Sequence, residues 1–403
     1  MDRTTTAHGP PRSDSPADLR GLVDSRETPA KTVAATMRRV VEYFEAEGEI
    51  AGARLTEVRA ELELLDEYSV ETVAVRRLLV SEELSPRGFM ALMANIFVRV
   101  LPTYAEIPLN LALHGAHGDL RNYGLIALNV NDEAGEGDPK KTHPALFNRS
   151  AGVFSGVFDV PPISIRIGLA ALVLRLHEEG WRDVEEGLAL AQKALARDDN
   201  GAQVAKERLL ADFEVARQYS ALIAAEAIEC YRWRMHTLAE LVSDQLSEDS
   251  SRDGYLILLS LLAVREAAAS DPQGIFHSLS ALVARYGGHL GEDVHVVADA
   301  LCWSDVHIDG ELGKQAGYVG HSVEEDHAEQ ALGAVLDHLH DDRGLLRSLS
   351  AMNTINRHLR DLWHGTVRVI EEQPGDRIPV NRIPDEVHRR VRLERLGPQA
   401  SLA

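Results

Sequence analysis

The residues from Asn131 to His143 read NDEAGEGDPKKTH, and this stretch marks the boundary between two predicted helices. The preceding segment, 120–130, has helical composition and ends near Glu133, and Pro139 suits the first turn of a new helix, where its missing N–H costs no hydrogen bond. His143 would then lie one turn into the second helix. A glycine turn between two helices can direct Glu133 and His143 at one point, and carboxylate with imidazole is the ligand combination of iron and manganese sites. The alternative interpretation is an acidic helix end followed by a surface histidine.

Helical periodicity extends outward from this turn in both directions. Within residues 32–46 the apolar side chains fall on one helical face, at Val33, Met37, Val40, Val41 and Phe44. Long segments rich in Ala, Leu, Glu and Arg occur at 165–179, 184–196 and 204–238. Alternating strand patterns are nearly absent, so the sequence predicts an all-α fold.

Composition excludes several classes of function. The 403 residues are 45% hydrophobic, which is enough to bury a large core, and their net charge of -21 argues against nucleic acid and anionic membrane surfaces as partners. Two cysteines, Cys230 and Cys302, provide no disulfide framework, so a reducing cytoplasm is the expected compartment. Apolar runs such as 256–264 are too short to span a membrane, and the polar N-terminal residues do not resemble a signal peptide.

The stretch around Glu133 resembles a motif of the heme-oxygenase-like diiron oxidases, a family of iron-containing redox enzymes. That motif reads Asp-Glu-x-Gly-x-Gly-Asp-Pro-x-x-x-His and is followed by a Leu-Phe pair, which is Leu146-Phe147 in this chain. The resemblance implies a heme-oxygenase-like helical bundle with extra helices inserted and appended.

Domain boundaries follow from the same resemblance together with the composition of the ends. The family-like domain would span 86–370, with insertions near 180–215 and 250–315. The remaining parts would be a disordered leader at 1–30, a helical extension at 31–85 and a tail rich in proline and charge at 371–403, which looks loosely attached.

The resemblance also implies ligands from a late helix, where the family carries His-x-x-x-Asp-x-x-His followed by Ala-Glu. The matching segment is GHSVEEDHAE, residues 320–329, in which His327 takes the last position, Glu324 the Asp position and Gly320 the position of the first histidine. In an α-helix His321 is displaced by about 100° from that face, although a short 3₁₀ stretch would align it with Glu324 and His327. The alternative is an acidic amphipathic helix with incidental histidines.

Two further carboxylates extend the predicted ligand set. Glu106 lies at the separation from the first motif at which N-oxygenating members of the family carry an extra glutamate. Glu226 interrupts an apolar run, and a buried carboxylate needs a cation or a metal, so it is preferred as a ligand over the neighbouring Glu229. An ion pair with Arg232 or Arg234 is the alternative.

A competing set has the family spacing in another place. His295, Asp299 and Cys302 occupy positions zero, four and seven of a plausible helix. A thiolate in the last position would favour a different metal from an oxygen-rich diiron site. Because the Ala-Glu continuation follows His327 and not Cys302, we rank this set lower and expect Cys302 to be a small buried residue.

The resemblance implies an oxidase that uses two Fe²⁺ ions and takes O₂ as co-substrate. The metal ligands would be Glu133, His143, Glu324 and His327, with Glu106, Glu226 and His321 as weaker candidates. The implied reaction is N-oxygenation or oxidative C–C or C–N cleavage of a small amine or amino-acid-like molecule in specialised metabolism, by a cytoplasmic protein that could form a homodimer. Two alternatives remain: a cofactor-free or thiol-dependent enzyme on the same fold with Cys230 as nucleophile, and a helical binding protein whose metal site has decayed.

Overall fold

Helices account for the regular structure of this protein. The computed structural model describes residues 19–23, 29–67, 73–116, 118–140, 142–180, 202–245, 251–271, 274–293, 295–300, 302, 323–384, 386–387 and 389–391. Within these ranges the chain forms helices, turns and loops and contains no strand, which confirms the predicted all-α class.

The helices are numbered in chain order. They are α1 (Pro29–Ala46), α2 (Gly52–Glu67), α3 (Val73–Ser81), α4 (Pro86–Val100), α5 (Thr103–Ala116), α6 (Leu120–Glu133), α7 (His143–Val157), α8 (Ile165–Glu178), α9 (Ala202–Ser220), α10 (Ala225–Gln245), α11 (Ser251–Ser270), α12 (Ile275–Tyr286), α13 (Val323–Asp337) and α14 (Asp342–Glu371). Short 3₁₀ turns occur at Leu19–Leu22, Gly135–Gly137 and Gly287–Leu290.

Helix α11 lies at the centre of the fold. It packs against α1, α5, α10, α12, α13 and α14, and most extensively against α13. Its apolar side chains point in several directions and are buried, among them Leu258, Leu259, Leu262 and Ala263. A helix that is apolar all round must be enclosed by other elements. The sequence predicts this segment as part of an insertion at 250–315, whereas in the structure it is the helix against which six other described helices pack.

Four helices, α5, α6, α11 and α13, position the candidate site and are called the central bundle. Near the start of α11, the Tyr255 ring lies 5.0 Å from the His114 ring of α5 and 4.7 Å from the ring of His338, which directly follows α13. Near the other end of α11, Arg265 donates to the hydroxyl of Thr103, the first residue of α5. Since α11 packs along both helices, α5 and α13 each run antiparallel to it. A short turn joins α5 to α6, which reverses direction again and is therefore antiparallel to α13.

The stretch Pro86–Ala116, which comprises α4 and α5, is long and apolar enough to cross a membrane by length and composition. It is one such stretch among the described residues, and 78% of its most apolar window is buried inside the protein. Packing in the core therefore accounts for its composition. Pro108 lies inside α5, where it has no N–H to donate to the carbonyl one turn earlier.

The described parts of both chain ends pack against the bundle. Leu19, within the predicted leader, is buried, and Arg20 donates two hydrogen bonds to Asp337 at 2.7 and 2.6 Å. In the tail, the Ile378 N–H donates to the Leu84 carbonyl at 2.9 Å. The expectation of a loosely attached tail is therefore wrong for residues 373–384, because prolines keep this segment extended and its backbone groups find partners on neighbouring loops.

Close packing of α8 on α4 gives a test of the fold. A Cβ added at Gly168 of α8 would lie 2.8 Å from ring atoms of Phe97, which is buried and packs against Phe147 at 6.5 Å between ring centroids. We expect Gly168→Ala to lower the free energy of unfolding by about 1–3 kcal/mol, measured by urea denaturation. Gly152→Ala in α7 is the matched control. Nothing lies within 4 Å of its added Cβ, so the helix propensity of alanine should raise stability by up to ~1 kcal/mol. Equal stability of the two variants would contradict this packing.

Candidate metal centre

Glu133 and His143 meet at the junction between α6 and α7. Helix α6 ends at Glu133, and the chain turns through left-handed backbone at Gly135 (φ 72°) and Gly137 (φ 85°), a conformation that glycine adopts without strain. The Nδ1 atom of His143 lies 2.7 Å from Oε2 of Glu133, and the two side chains are 8% and 15% exposed. The turn therefore brings the carboxylate and the imidazole together in a largely buried place, as the sequence predicted.

The start of α7 differs from the prediction. The helix begins at His143 itself and not at Pro139, which lies in the preceding turn. Thr142 caps the new helix by accepting from the Ala145 N–H at 3.3 Å, and Pro144 occupies the first turn. Capping by the threonine side chain and a proline one residue after His143 are the local signals that set this start.

Glu106 is held by arginines. Its Oε1 and Oε2 accept from Nε and Nη2 of Arg234 at 2.7 and 2.6 Å, and Nε of Arg265 lies 3.4 Å from Oε2. Burial raises the pKa of Glu106, but the charges and hydrogen bonds of Arg234, with Arg265 and Arg99, outweigh burial and hold the pKa below its ordinary value. Both carboxylate oxygens are thus engaged by one guanidinium, which makes this residue part of a buried ion pair.

Tyr104 links this ion pair electrostatically to the Glu133–His143 pair. Although 37% of Tyr104 is exposed, partial burial of its hydroxyl raises the pKa of the phenol, the nearby Glu133 carboxylate raises it further, and Arg265 lowers it. The tyrosine begins α5 just as Glu133 ends α6, as expected for two antiparallel helices joined by a short turn. Both pairs therefore lie at one end of the central bundle.

The helix register brings His327 to the same end. Asn122 donates to Asp337 at 2.9 Å, which aligns the start of α6 with the end of α13. Glu133 lies eleven residues after Asn122, and His327 lies ten residues before Asp337, so in antiparallel helices both are displaced by roughly 15–16 Å from the contact. His327 is 3% exposed and therefore faces the protein interior at the level of Glu133.

The same alignment of helices places Glu266 of α11 at this level, although no sequence motif singles this residue out. Tyr255 and Glu266 of α11 are eleven residues apart, which is three turns, so they share a face of the helix. Tyr255 contacts the ring of His338, and His327 precedes His338 by the same interval. Glu266 is 3% exposed, and its carboxylate accepts from Arg265. A glutamate inside an otherwise apolar core helix was the signal that could have revealed it.

The remaining predicted ligands lie elsewhere or outside the described residues. Glu226 of α10 pairs with Arg368 of α14 at 2.9 Å, rather than with Arg232 or Arg234, and its side chain is 30% exposed and not buried. Glu229 pairs with Arg232 at 3.1 Å. His321 lies outside the described residues. Glu324 belongs to the first turn of α13, three residues before His327, and its side chain is outside the described part.

The competing residues have separate partners. Asp299 lies 3.6 Å from Arg149, and the Cys302 thiol donates to the Leu146 carbonyl at 3.4 Å. His295 is exposed. Cys230 is 1% exposed within α10, so reagents and substrates have no direct access to its thiol.

Among the described residues, the group of three potential ligands with the spacing of a metal site is a different one, and no third described ligand atom joins Glu133 and His143 at that spacing. One nitrogen each of His114 and His338 and one oxygen of Asp119 lie within 4.8 Å of one another. The sequence analysis did not identify this group because its members come from the end of α5, the turn before α6 and the residue after α13.

Comparison with protein-family models, with curated proteins and with solved structures finds no match to this chain. The resemblance to the diiron oxidases therefore depends on the two sequence motifs, and the geometry described above depends on the chain itself.

The ion pair of Glu106 gives a testable distinction between structural and ligand roles. We expect Glu106→Gln to lower the free energy of unfolding by about 3–5 kcal/mol, because it leaves the Arg234 guanidinium buried without its counter-charge. Glu229→Gln is the control: it removes an exposed pair, and its cost should stay below about 1 kcal/mol. Urea denaturation of the metal-free proteins measures both. Glu106 would instead be a ligand if its substitution left stability intact and lowered iron affinity.

Proposed function

We propose that this protein is a non-heme iron oxidase that uses O₂ to oxidise a small amine or amino-acid-like substrate, with a heme-oxygenase-like arrangement of its helices. The contact between Glu133 and His143 carries the proposal. Two side chains that form a first-row metal site in such proteins meet at 2.7 Å across a helix junction, and both are largely withdrawn from water. Motif, turn geometry and burial thus support the same site.

The donor types at this end of the central bundle suit iron, although their described atoms would have to move closer together to bind one ion. Glu133, His143 and His327 provide carboxylate and imidazole groups, and Glu266 and Glu324 belong to the same level of the neighbouring helices. Imidazole nitrogen with carboxylate oxygen suits Fe²⁺, whereas an all-oxygen set would suit Mg²⁺ or Ca²⁺. Glu106 is not counted, because Arg234 engages both of its oxygens. When bound, a pair of ferrous ions supplies the two electrons that reduce O₂.

The protein groups would orient the ligands and exclude water. Because Nδ1 of His143 and Oε2 of Glu133 lie 2.7 Å apart, a proton holds the two groups together without a metal, and an ion bound by both would replace that proton. The buried ion pair of Glu106 with Arg234 holds α5 against α10 beside this site.

A narrow apolar cavity lies beside α7, with room for little more than one water molecule, so a substrate would have to displace its lining. Phe147, Ala151 and Phe154 line it from α7, with Met93, Leu279 and Leu282 opposite. Phe147 follows His143 by one helical turn, so the cavity begins close to the candidate site. The net charge of -21 favours a protonated amine over an anion as it approaches the protein. N-oxygenation and oxidative C–C or C–N cleavage are the reactions we propose, in a cytoplasmic protein.

Iron binding tests the proposal. After anaerobic reconstitution with Fe²⁺ and removal of free metal, we expect His143→Ala to retain at least one iron fewer per chain than the unsubstituted protein and to lose iron-dependent O₂ consumption. The control is His236→Ala, which removes an exposed histidine of α10 paired with Glu240. This control should retain the full iron content. The free energy of unfolding of the metal-free His143→Ala protein should fall by no more than about 3 kcal/mol, since the Glu133 contact and the packing of a buried side chain are lost. Normal iron loading together with much lower stability would mean that His143 is structural.

The register of the central bundle gives a second expected result. His327→Ala should lower iron content as His143→Ala does, because the two residues would serve the same site from different helices. Glu266→Gln should weaken iron binding by at least about 10-fold, the effect of losing a group that binds or orients a ligand. Iron content is read by colorimetric chelation in each variant. Unchanged iron in the His327 variant would exclude α13 from the site.

A further inference from the structure

We infer that a second metal site, separate from the one proposed above, lies at the opposite end of the central bundle and binds a divalent transition-metal ion through His114, Asp119 and His338. His114 belongs to the last turn of α5, Asp119 precedes α6, and His338 directly follows α13. Three chain segments that are distant in sequence thus converge at one point.

The three ligand atoms have the separations of metal ligands. Oδ2 of Asp119 lies 3.2 Å from Nδ1 of His114 and 2.8 Å from Nε2 of His338, and all three atoms lie within 4.8 Å of one another. Metal–ligand bonds of about 2.0–2.2 Å place neighbouring ligand atoms about 3 Å apart. The His114 side chain is fully buried, whereas those of Asp119 and His338 are 15% and 24% exposed, so an ion could enter from this end.

The arrangement of protons favours a cation. Nδ1 of His114 faces both Oδ2 of Asp119 and the hydroxyl of Tyr255. A neutral imidazole nitrogen carries either a proton, which it can donate to the carboxylate and the phenol oxygen together, or a lone pair. With a lone pair on Nδ1 and the Tyr255 hydroxyl turned away, two electron-rich atoms face each other at 3.2 Å. A metal ion bound by both atoms converts this repulsion into coordination.

Outer groups fix the carboxylate in place. Asn122 donates its backbone N–H to Oδ1 of Asp119 at 3.1 Å and its side-chain amide to Oδ2 at 2.7 Å. Arg20 donates to the Asn122 amide oxygen at 2.6 Å and also neutralises Asp337. Asp119 therefore remains the one anionic ligand of the three, and its hydrogen-bonded neighbours orient it as second-layer groups do in metal proteins.

The two sites are far enough apart to bind separate ions. Eleven positions separate the residues at the two ends of each helix. The pairs are Asn122 and Glu133 in α6, Tyr255 and Glu266 in α11, and His327 in α13 with His338, which directly follows that helix. Eleven residues make three turns and roughly 16 Å, so each helix presents the same face to both ends. The inference therefore does not depend on the proposed oxidase function.

Two imidazoles and one carboxylate identify the class of metal. Such a set suits Zn²⁺ and Fe²⁺, whereas Mg²⁺ and Ca²⁺ prefer oxygen ligands. Because the ligands lie at the ends of α5 and α13 and beside the start of α6, a bound ion would fasten these three helix ends. Its expected effect is stabilisation of the folded protein by mass action.

Zinc binding by the metal-free protein tests the site. Zn²⁺ is titrated against a chromophoric chelator, and thermal unfolding is recorded with and without Zn²⁺. We expect Asp119→Asn and His338→Gln each to lose one Zn²⁺ equivalent or to weaken it at least ~100-fold, beyond the roughly 10-fold to 100-fold effect of groups that only orient a ligand. Zn²⁺ should also raise the unfolding temperature of both variants less than it raises that of the unsubstituted protein.

Matched variants separate the outcomes. His340→Gln removes a neighbouring exposed histidine, 6.4 Å from His338 between ring centroids, and should bind zinc as the unsubstituted protein does. His143→Ala should keep this equivalent, whatever it loses at the other end of the bundle. If Asp119→Asn fails to fold by circular dichroism, His338→Gln decides, because its side chain is partly exposed. If His338→Gln and His340→Gln bind zinc with the same stoichiometry and affinity, the inference is wrong. His114, Asp119 and His338 then form a hydrogen-bonded cluster and not a metal site.

Discussion

The buried ion pair between Glu106 and Arg234 is the constraint on which the arrangement of the helices depends. Arg234 is 1% exposed and donates both to Glu106 and, at 2.6 Å, to the carbonyl of Arg99. Since a buried charge without a partner is very costly, α5, α10 and the end of α4 must meet in one relative position. Arg265 joins the same cluster from α11 and thereby fixes the register of the central helix.

This register determines what the central bundle can do. Sliding α11 by one residue along α5 would rotate its polar side chains by about 100° and turn Tyr255 and Glu266 away from their neighbours. The middle of the bundle is filled by apolar residues such as Leu258, Leu259 and Ala334, which would tolerate such a shift better than the ends. Charged and polar groups at the two ends therefore specify the alignment, while the apolar middle contributes most of the burial energy.

Local features were predictable from the sequence, and long-range pairings were not. The contact between Glu133 and His143 follows from a turn of nine intervening residues, so spacing and glycine content were sufficient to predict it. The partner of Glu106 is 128 residues away in sequence, and that of Glu226 is 142 residues away. A single sequence does not show which cation a buried carboxylate will meet, and for that reason Glu226 was assigned to a metal, whereas Glu106 was assigned through the family resemblance. The cluster of His114, Asp119 and His338 was missed on the same grounds, since Asp119 and His338 are 219 residues apart.

Pro108 gives the first candidate site an acceptor that does not depend on charge. In a regular helix the carbonyl of Tyr104 would accept from the N–H of residue 108, but proline has none. The helix thus leaves a backbone oxygen without its usual donor in the first turn of α5, at the level where α6 ends. An ammonium group entering beside Glu133 would meet a neutral carbonyl as well as a carboxylate there. If the proposed amine substrate binds here, this carbonyl is a main-chain acceptor for it that is separate from the acidic side chains.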